Sequence, residues 1–317
     1  MRVSIALCTY NGEKYLQEQL ESIASQSLLP WELVVCDDGS SDATIDILYK
    51  FCETAPFTVR IFLNEANLGS TKNFEQAIHL CSGDLIALCD QDDIWISKKL
   101  EEAVCEFQTR SDLDALFTDA EIIDEASKPV HFRLWQSIEF TRKLQARFKA
   151  GESVPVLLKR NVVTGATLIF RSSCRDSVLP IPQSWVHDGW IAWMVALKNR
   201  IDFIPKPLIY YRIHLTQQIG PPPLTVLGKF KSDRASTDRT YCKEALQYKD
   251  LRTYVNHKAN MKDPLLLKHF DRKIYHSNFR SKLKLNKFLR IFSVIPRIRY
   301  YNLYSNGWKS IFKDLLR

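Results

Sequence analysis

Along the first two hundred residues, short apolar runs alternate with stripes of apolar residues at helical spacing. Val3–Thr9 is an apolar strand, and Leu16, Leu20, Ile23 and Ser27 then share one helical face. Asn11 is placed to cap that helix. Residues 32–36 form a second strand, followed by a helix with Ile45, Leu48 and Cys52 inward, a strand at 58–62 and a loop at 64–69. Ser70 is expected to cap the next helix, which carries Phe74, Ile78 and Cys81 and stops at Gly83, where a positive φ would suit the C′ position. Residues 85–89 then read as a buried strand that ends abruptly in Asp90, Asp92 and Asp93.

Beyond the acids, Ser97 opens a helix with Leu100, Val104 and Phe107 inward, and residues 115–118 give a strand ending at Asp119. Residues 125–153 are irregular and basic, the pattern of a loop or flap; Trp135 and Phe140 there either touch a sugar or, the preferred alternative, simply pack. Residues 162–171 return to strand-like sequence, and a helix is expected at 191–197. Asp188 precedes it, where free amides and the helix dipole favour a charged carboxylate, although read alone Asp188 is also an ordinary N-cap. Strands at 201–204 and 208–212 lead to His214, and the Gly-Pro-Pro-Pro run at 220–223 ends the pattern. The expected division is therefore 1–222, an α/β domain, and 223–317, a basic and mainly helical region. Alternating strand and helix implies a mostly parallel, Rossmann-like sheet with helices on both faces. No Gly-x-Gly-x-x-Gly or P-loop follows the first strand, which disfavours nicotinamide dehydrogenases and P-loop ATPases.

Charge sharpens this picture. The net +8 conceals a split: residues 226–317 hold 22 Lys+Arg against 7 Asp+Glu, leaving −7 over the first 225. Acids at the carboxyl end of a parallel strand lie where open α/β sheets bind ligands. Two carboxylates ~5 Å apart repel by roughly 3 kcal/mol at an effective dielectric of ~20, a cost that a bound divalent cation reverses. Hard ions such as Mg²⁺ or Mn²⁺ take oxygen ligands and keep positions open for phosphates. In the basic region Leu285, Phe288, Leu289, Phe292 and Ile295 share a helical face, with Lys284, Lys287 and Arg290 off it and Pro296 ending the helix. That face suits a membrane surface, or packing on the catalytic domain or on a second copy in a homodimer. No apolar run reaches the ~20 residues that span a bilayer, and the eight cysteines include no Cys-x-x-Cys pair. A cytoplasmic protein with reduced, buried thiols is expected, peripheral at the inner face of the membrane if the tail docks there.

Four blocks carry a resemblance to a known family: Thr9-Tyr10-Asn11-Gly12, Asp37-Asp38-Gly39-Ser40-Ser41-Asp42, Asn67-Leu68-Gly69 with Asn73-Phe74, and Asp90-Gln91-Asp92-Asp93-Ile94-Trp95. In this order they closely resemble family 2 glycosyltransferases, particularly rhamnosyltransferase-like members that build bacterial surface polysaccharides. His187-Asp188 and Tyr211-Arg212-Ile213-His214 are shorter matches to later motifs, and the resemblance covers roughly residues 1–220. It implies an inverting enzyme of the GT-A fold that moves a sugar from a nucleotide-diphosphate sugar to an acceptor hydroxyl. Thr9, Tyr10, Asn11, Glu13, Asp37, Asp38, Asn67 and Asn73 would surround the nucleotide, Asp38 accepting the N3-H of uracil or thymine. Asp90 and Asp92 would hold Mg²⁺ or Mn²⁺, with Asp93 in support and His214 a further ligand. Asp188 would be the general base, and Trp95, Thr164, Gly165, His187 and Trp190 would meet the acceptor, although a Trp beside a motif, as Trp95 and Trp190 are, more often packs under it. The expected donors are dTDP-rhamnose first and UDP-sugars second, with a saccharide acceptor that a lipid carries. The Gln-x-x-Arg-Trp motif of processive members is absent after Asp188, so single-sugar transfer is implied.

Two rival readings differ in class. A sugar nucleotidyltransferase also uses acids on a divalent ion, but the single glycine and the acid of Thr9-Tyr10-Asn11-Gly12-Glu13 are unlike a triphosphate loop. A nucleic-acid-binding protein would work through the basic tail, but the acidic first 225 residues would repel a polyanion and no RRM, KH or zinc signature is present; no nucleic-acid partner is expected.

Overall fold

A computed structural model describes residues 1–214, 217, 238–257, 263–283 and 286–316. The chain divides into two compact units, Met1–Gly151 with Val162–Pro221, and Glu152–Asn161 with Pro222–Arg317. The boundary expected at 222/223 lies outside the described residues. The short segment 152–161, which the sequence pattern placed in the catalytic part, belongs to the second unit.

In chain order the elements are β1 (Val3–Thr9), α1 (Leu16–Ala24), β2 (Glu32–Asp37), α2 (Thr44–Thr54), β3 (Thr58–Leu63), α3 (Ser70–Leu80), β4 (Leu85–Asp90), β5 (Ile94–Trp95), α4 (Lys99–Thr109), β6 (Ala115–Ile123), β7 (Pro129–Arg133), α5 (Leu134–Ser137), α6 (Arg142–Lys149), α7 (Ser153–Lys159), β8 (Ile169–Arg171), α8 (Arg175–Val178), α9 (His187–Ala196) and β9 (Ile201–Arg212). One sheet runs β3-β2-β1-β4-β8-β6-β9-β5, with β7 paired to β6. The first four strands are parallel, as the strand–helix alternation requires. β8 then pairs antiparallel with both β4 and β6, so the sheet is mixed rather than a simple half of a Rossmann fold.

Central strands β1, β2 and β4 are buried along nearly their whole length, which their unbroken apolar runs dictate. Helices α1, α3 and α4 bury the stripes at helical spacing, among them Leu20 and Ile23, Phe74 and Ile78, and Leu100 and Phe107.

Several local expectations are corrected. Asn11 does not cap α1; its side chain instead accepts from the Ser41 amide at 2.9 Å. Ser70 is the first residue of α3, and Gly69 takes the cap position. Gly83 is not a positive-φ cap: a Cβ there would stand 2.8 Å from the Arg2 carbonyl oxygen and the Ser4 nitrogen, so glycine is needed for a close backbone approach. β6 runs past Asp119 to Ile123, and β9 is a single strand that passes Pro205 and Pro207 with register shifts against β6. Only the last part of 162–171 is a strand, and α9 begins at His187, earlier than the pattern placed it.

The 125–153 segment is not an irregular flap. It supplies β7, α5 and α6, and Trp135, Phe140 and Phe148 pack with Phe117 of β6 and Phe203 of β9 at ring separations of 5.0–5.9 Å. Trp135 and Phe140 are thus core residues. All eight cysteines are free, but Cys105 and Cys242 are exposed rather than buried.

The second unit is helical, with helices at Asp238–His257, Pro264–Ser281, Lys287–Val294, Ile298–Tyr304 and Trp308–Leu316 besides α7. Lys284 and Leu285, expected on the amphipathic helix, lie outside the described residues, as do the side chains of Lys287 and Phe288. Among the described residues no helix is long and apolar enough to cross a membrane.

Candidate active site

Parallel register brings the strand ends level. Thr9 stands opposite Asp37 and Cys8 opposite Asp90, so the loops after β1, β2 and β4 leave the sheet from one edge. Asp37 closes the turn after β2: its oxygens accept from Thr9 Oγ1 at 2.7 Å, Ser40 Oγ at 2.6 Å, and the amides of Gly39 and Ser40 at 3.1 and 2.8 Å. Asp38 faces the loop before α3, where Asn64 Nδ2 and the Leu68 and Gly69 amides donate to it at 2.7–2.9 Å. Asn73 is buried, donating to the Cys36 carbonyl and accepting from Asn64. Asp37, Asp38 and Asn73 therefore form the buried frame of this loop cluster. Tyr10, Asn11, Glu13 and Asn67 lie on its exposed side, Glu13 accepting from the Ala43 amide and Asn67 donating to the Asp38 carbonyl.

Gln91 joins this frame to the acids, a role its sequence did not suggest. Its Oε1 accepts from the Tyr10 amide at 2.8 Å and its Nε2 donates to the Tyr10 carbonyl at 3.0 Å, a side-chain copy of a strand pairing. A Cβ on Gly12 would fall 2.3 Å from Gln91 Oε1, so any larger residue there would push the Gln91 side chain off Tyr10.

On the acidic side, Asp90 ends β4 and Asp92 Oδ2 lies 2.8 Å from His214 Nε2. Asp90 and Asp92 stay partly exposed, whereas Asp93 is buried. One Asp93 oxygen accepts from the Arg212 amide at 2.9 Å, and the other has no hydrogen-bond partner among the described residues. The Arg212 side chain is 1% exposed and donates to the Asp92 carbonyl at 2.7 Å, to Ser127 Oγ at 2.8 Å and to Glu18 at 2.5 Å, with its guanidinium over the Tyr15 ring. Lys99, also buried, donates to the Ala166 carbonyl at 2.8 Å and sits 3.5 Å above the Trp95 ring centre. Arg212 was visible in a quoted motif without a role; Lys99 gave no signal beyond lying one position before the buried Leu100.

Asp188 sits in the first turn of α9, where its oxygens accept from the Gly189 amide at 2.5 Å and the Gly165 amide at 3.1 Å. Burial pushes this carboxyl up to about 6, against the pull of the two amides. Asp90 is pushed up to about 7, by burial first and then by the charges of Asp92 and Asp188. Asp93 is also driven up, by burial first and then by the charges of Asp92 and Asp90, and burial brings the Lys99 amine down to about 7. The edge thus concentrates negative charge that its own cations do not balance.

Mg²⁺ or Mn²⁺ fits the donor chemistry here: carboxylates of Asp90 and Asp92, the His214 imidazole, and an environment that resists their combined charge. Among the described residues no three His, Cys, Asp or Glu side chains are gathered into a metal cage, so substrate oxygens would have to complete the coordination.

The expected acceptor residues separate. Trp95 and Trp190 are buried, the latter donating from Nε1 to the Val178 carbonyl at 2.9 Å, so neither offers a face to a sugar. His187 is buried too, stacked 4.0 Å from the Phe74 ring and held near 3 by desolvation, hence neutral. Gly165 acts through its amide on Asp188, and Thr164 alone of the five is partly exposed.

Residues 4–172 match Glycosyl transferase family 2. The chain belongs to that family. An Escherichia coli relative, "UDP-Glc:alpha-D-GlcNAc-diphosphoundecaprenol beta-1,3-glucosyltransferase WfgD", is 32% identical over 68% of this chain and 78% of its own. An uncharacterized glycosyltransferase of Nostoc is 28% identical over 68% of this chain; that match and one to an uncharacterized Mycobacterium tuberculosis protein span 65% and 59% of the relatives' lengths. Among solved structures, Staphylococcus aureus TarS in complex with UDP-GlcNAc aligns over 99% of this chain and 82% of its own with a TM-score of 0.59 at 17% identity. The mannosyltransferase PcManGT from Pyrobaculum calidifontis, in complex with GDP-Man and Mn²⁺, aligns over 99% of this chain and 85% of its own with a TM-score of 0.56 at 15% identity. Such likenesses establish the mixed α/β, GT-A-like fold of this family 2 member.

Proposed function

We propose that this family 2 member is an inverting glycosyltransferase that moves one sugar from a pyrimidine nucleoside-diphosphate donor to a hydroxyl of a saccharide acceptor, in the synthesis of a bacterial surface polysaccharide. The observation that carries the reading is the meeting, at one sheet edge, of a loop cluster built on Asp37 and Asp38 with the acids Asp90 and Asp92 and with Asp188, whose charge reaches Asp90. Asp38 is the group that would read the base; its Oδ1 already takes two hydrogen bonds and its Oδ2 one, which leaves Oδ2 with lone-pair capacity for the N3-H of uracil or thymine. Asp90 and Asp92 would hold Mg²⁺ or Mn²⁺ together with substrate oxygens, His214 steadying Asp92 at 2.8 Å or serving as a further ligand, and the ion would supply Lewis-acid stabilisation of the departing diphosphate.

Asp188 would take the acceptor proton as the acceptor oxygen bonds to the anomeric carbon and the bond from that carbon to the diphosphate oxygen breaks. Attack opposite the leaving group inverts the centre. Gly165 and Gly189 amides hold the carboxylate in place for that step, and a carboxyl near 6 is ionised at neutral pH while remaining a better base than a free aspartate.

The relatives move the donor order: WfgD is named for UDP-Glc and TarS holds UDP-GlcNAc, which supports a UDP-sugar ahead of dTDP-rhamnose. The name of WfgD likewise supports a lipid-diphosphate-linked saccharide as acceptor, with the chain working at the inner face of the membrane. Hydrolysis of UDP-, dTDP-, GDP- and CDP-sugars with Mn²⁺, in the absence of acceptor, tests the reading. UDP-sugar turnover that Asp188→Asn removes, with UDP affinity retained, is the expected result. A preference for GDP- or CDP-sugars would contradict the role given to Asp38.

A further inference from the structure

Within the helical unit, the helices Lys287–Val294 and Trp308–Leu316 bury one row of side chains and leave another uncovered. Val294 and Ile311 enter a core with Leu283 and Tyr301. On the other side Trp308, Phe312 and Leu316, spaced four apart, are 61%, 60% and 72% exposed, and Phe292 is 75% exposed beside the exposed Leu289 and Ile295. This outer row plays no part in the unit's own core. Lys309 and Lys313 adjoin the Trp308-Phe312-Leu316 stripe, and Arg290 lies next to Leu289 and two positions before Phe292.

Charge selects what covers the row. Residues 272–317 contain twelve Lys+Arg and a single acid, Asp314, which is fully buried against Arg280 at 2.6 Å and accepts from the Tyr301 hydroxyl. Residues 272–317 therefore contribute no exposed acidic side chain to the stripe. Two copies meeting through this face would bring like-charged rows together; an anionic surface would neutralise them. Aromatic and aliphatic side chains flanked by lysines whose stems reach past them are the pattern of a helix lying in a lipid interface.

We propose that the helices Lys287–Val294 and Trp308–Leu316 together form a docking surface for an anionic lipid bilayer, with Phe292, Trp308, Phe312 and Leu316 entering the interface and Arg290, Lys309 and Lys313 at headgroup level. It deepens the proposed reaction, because an acceptor carried on lipid has to be met at the bilayer, but the docking itself needs no turnover. Each basic residue near an anionic surface strengthens binding roughly fivefold.

The test is co-sedimentation of the full chain with phosphatidylcholine vesicles, with and without phosphatidylglycerol, alongside UDP-sugar hydrolysis and analytical ultracentrifugation. Binding to the phosphatidylglycerol vesicles that weakens with salt is expected. Lys309→Glu with Lys313→Glu should lower it about 25-fold or more. Phe292→Ser with Trp308→Ser and Phe312→Ser should also remove it, with unchanged thermal unfolding and hydrolysis. Equal binding of either variant and the parent overturns the proposal, as does a dimer in solution that the apolar variant dissociates while vesicles are ignored. Hydrolysis of no nucleotide sugar alongside normal vesicle binding would instead count against the proposed reaction alone.

Discussion

Two groups of buried charge, one in each unit, are built on opposite principles. In the helical unit Arg280 pairs with Asp314 through two hydrogen bonds at 2.6 and 3.0 Å and also meets the Tyr241 hydroxyl, while Lys273 pairs with Glu244 at 2.7 Å and Ser277 donates to the same carboxylate. Charges there are matched: despite burial, Lys273 and Ser277 hold Glu244 below the usual carboxylate range, and Asp314 holds Arg280 above its ordinary value. At the sheet edge Asp90, Asp93 and Asp188 are all driven upward: burial leads at each, the charges of neighbouring aspartates add to it at Asp90 and Asp93, and the amides and the buried Lys99 do not offset it. Matched charge stabilises a scaffold; unmatched charge is stable only when something from outside completes it. The contrast sets the sheet edge apart as the candidate ligand site more directly than the presence of acids does.

The largest break in the comparison is Asp188→Asn, expected to lower transfer by about 10²–10⁴-fold while UDP affinity stays within twofold or so of the parent. Single-turnover assays and titration with UDP check it. The matched counterpart is Arg280→Met, which leaves Asp314 buried without its partner and is expected to cost about 3–5 kcal/mol of stability in urea unfolding. Activity per folded molecule should not change. Adding Asp314→Leu should restore part of that loss, because an apolar pair replaces an orphaned charge.

Acidity separates the two groups by sign. Asp188 is raised in the folded state from 3.8 to about 6, so the native chain binds this proton more tightly than the unfolded chain, and the ligand-free protein loses stability as pH rises between about 4 and 6. Asp188→Asn should therefore raise the unfolding temperature at pH 8 and change it little at pH 4. Glu244 is lowered, so its contribution is present above its unfolded value near 4.5 and is lost as pH falls through its folded value. Transfer by the parent should rise with pH through about 6 as Asp188 ionises. A smaller effect is expected for Gln91→Ala, which frees Tyr10 from the acid turn: about a tenfold rise in the UDP dissociation constant, with the fold intact.

Legibility followed the range of the contacts. The four parallel strands could be read because each is a compact apolar run, and the helices between them because their buried rows recur at helical spacing. The strand character of β8 was legible within 162–171 but its antiparallel course was not, since nothing local in Ile-Phe-Arg fixes direction. The aromatic core under 125–153 was obscured by its basic surface. Asp90 and Asp92 stood out by type and position, and Asp188 only through the family resemblance, since alone it read as an N-cap, whereas Gln91 reaches a backbone 81 residues away and Arg212 a carboxylate 194 residues away, distances over which spacing carries no signal. Trp95 and Trp190 show the reverse error: beside a motif they look like sugar platforms, and the fold places them beneath it.

The most direct measurement is calorimetric titration of UDP into the parent and into Asp92→Asn, each with Mn²⁺ and with the metal chelated, at pH 8. If the sheet edge is incomplete without a cation, Mn²⁺ should tighten UDP binding by the parent at least tenfold and should barely affect Asp92→Asn, whose amide keeps the shape and loses the charge. UDP binding that is equally tight without metal, or an Asp92→Asn variant that responds to Mn²⁺ as the parent does, would contradict the account.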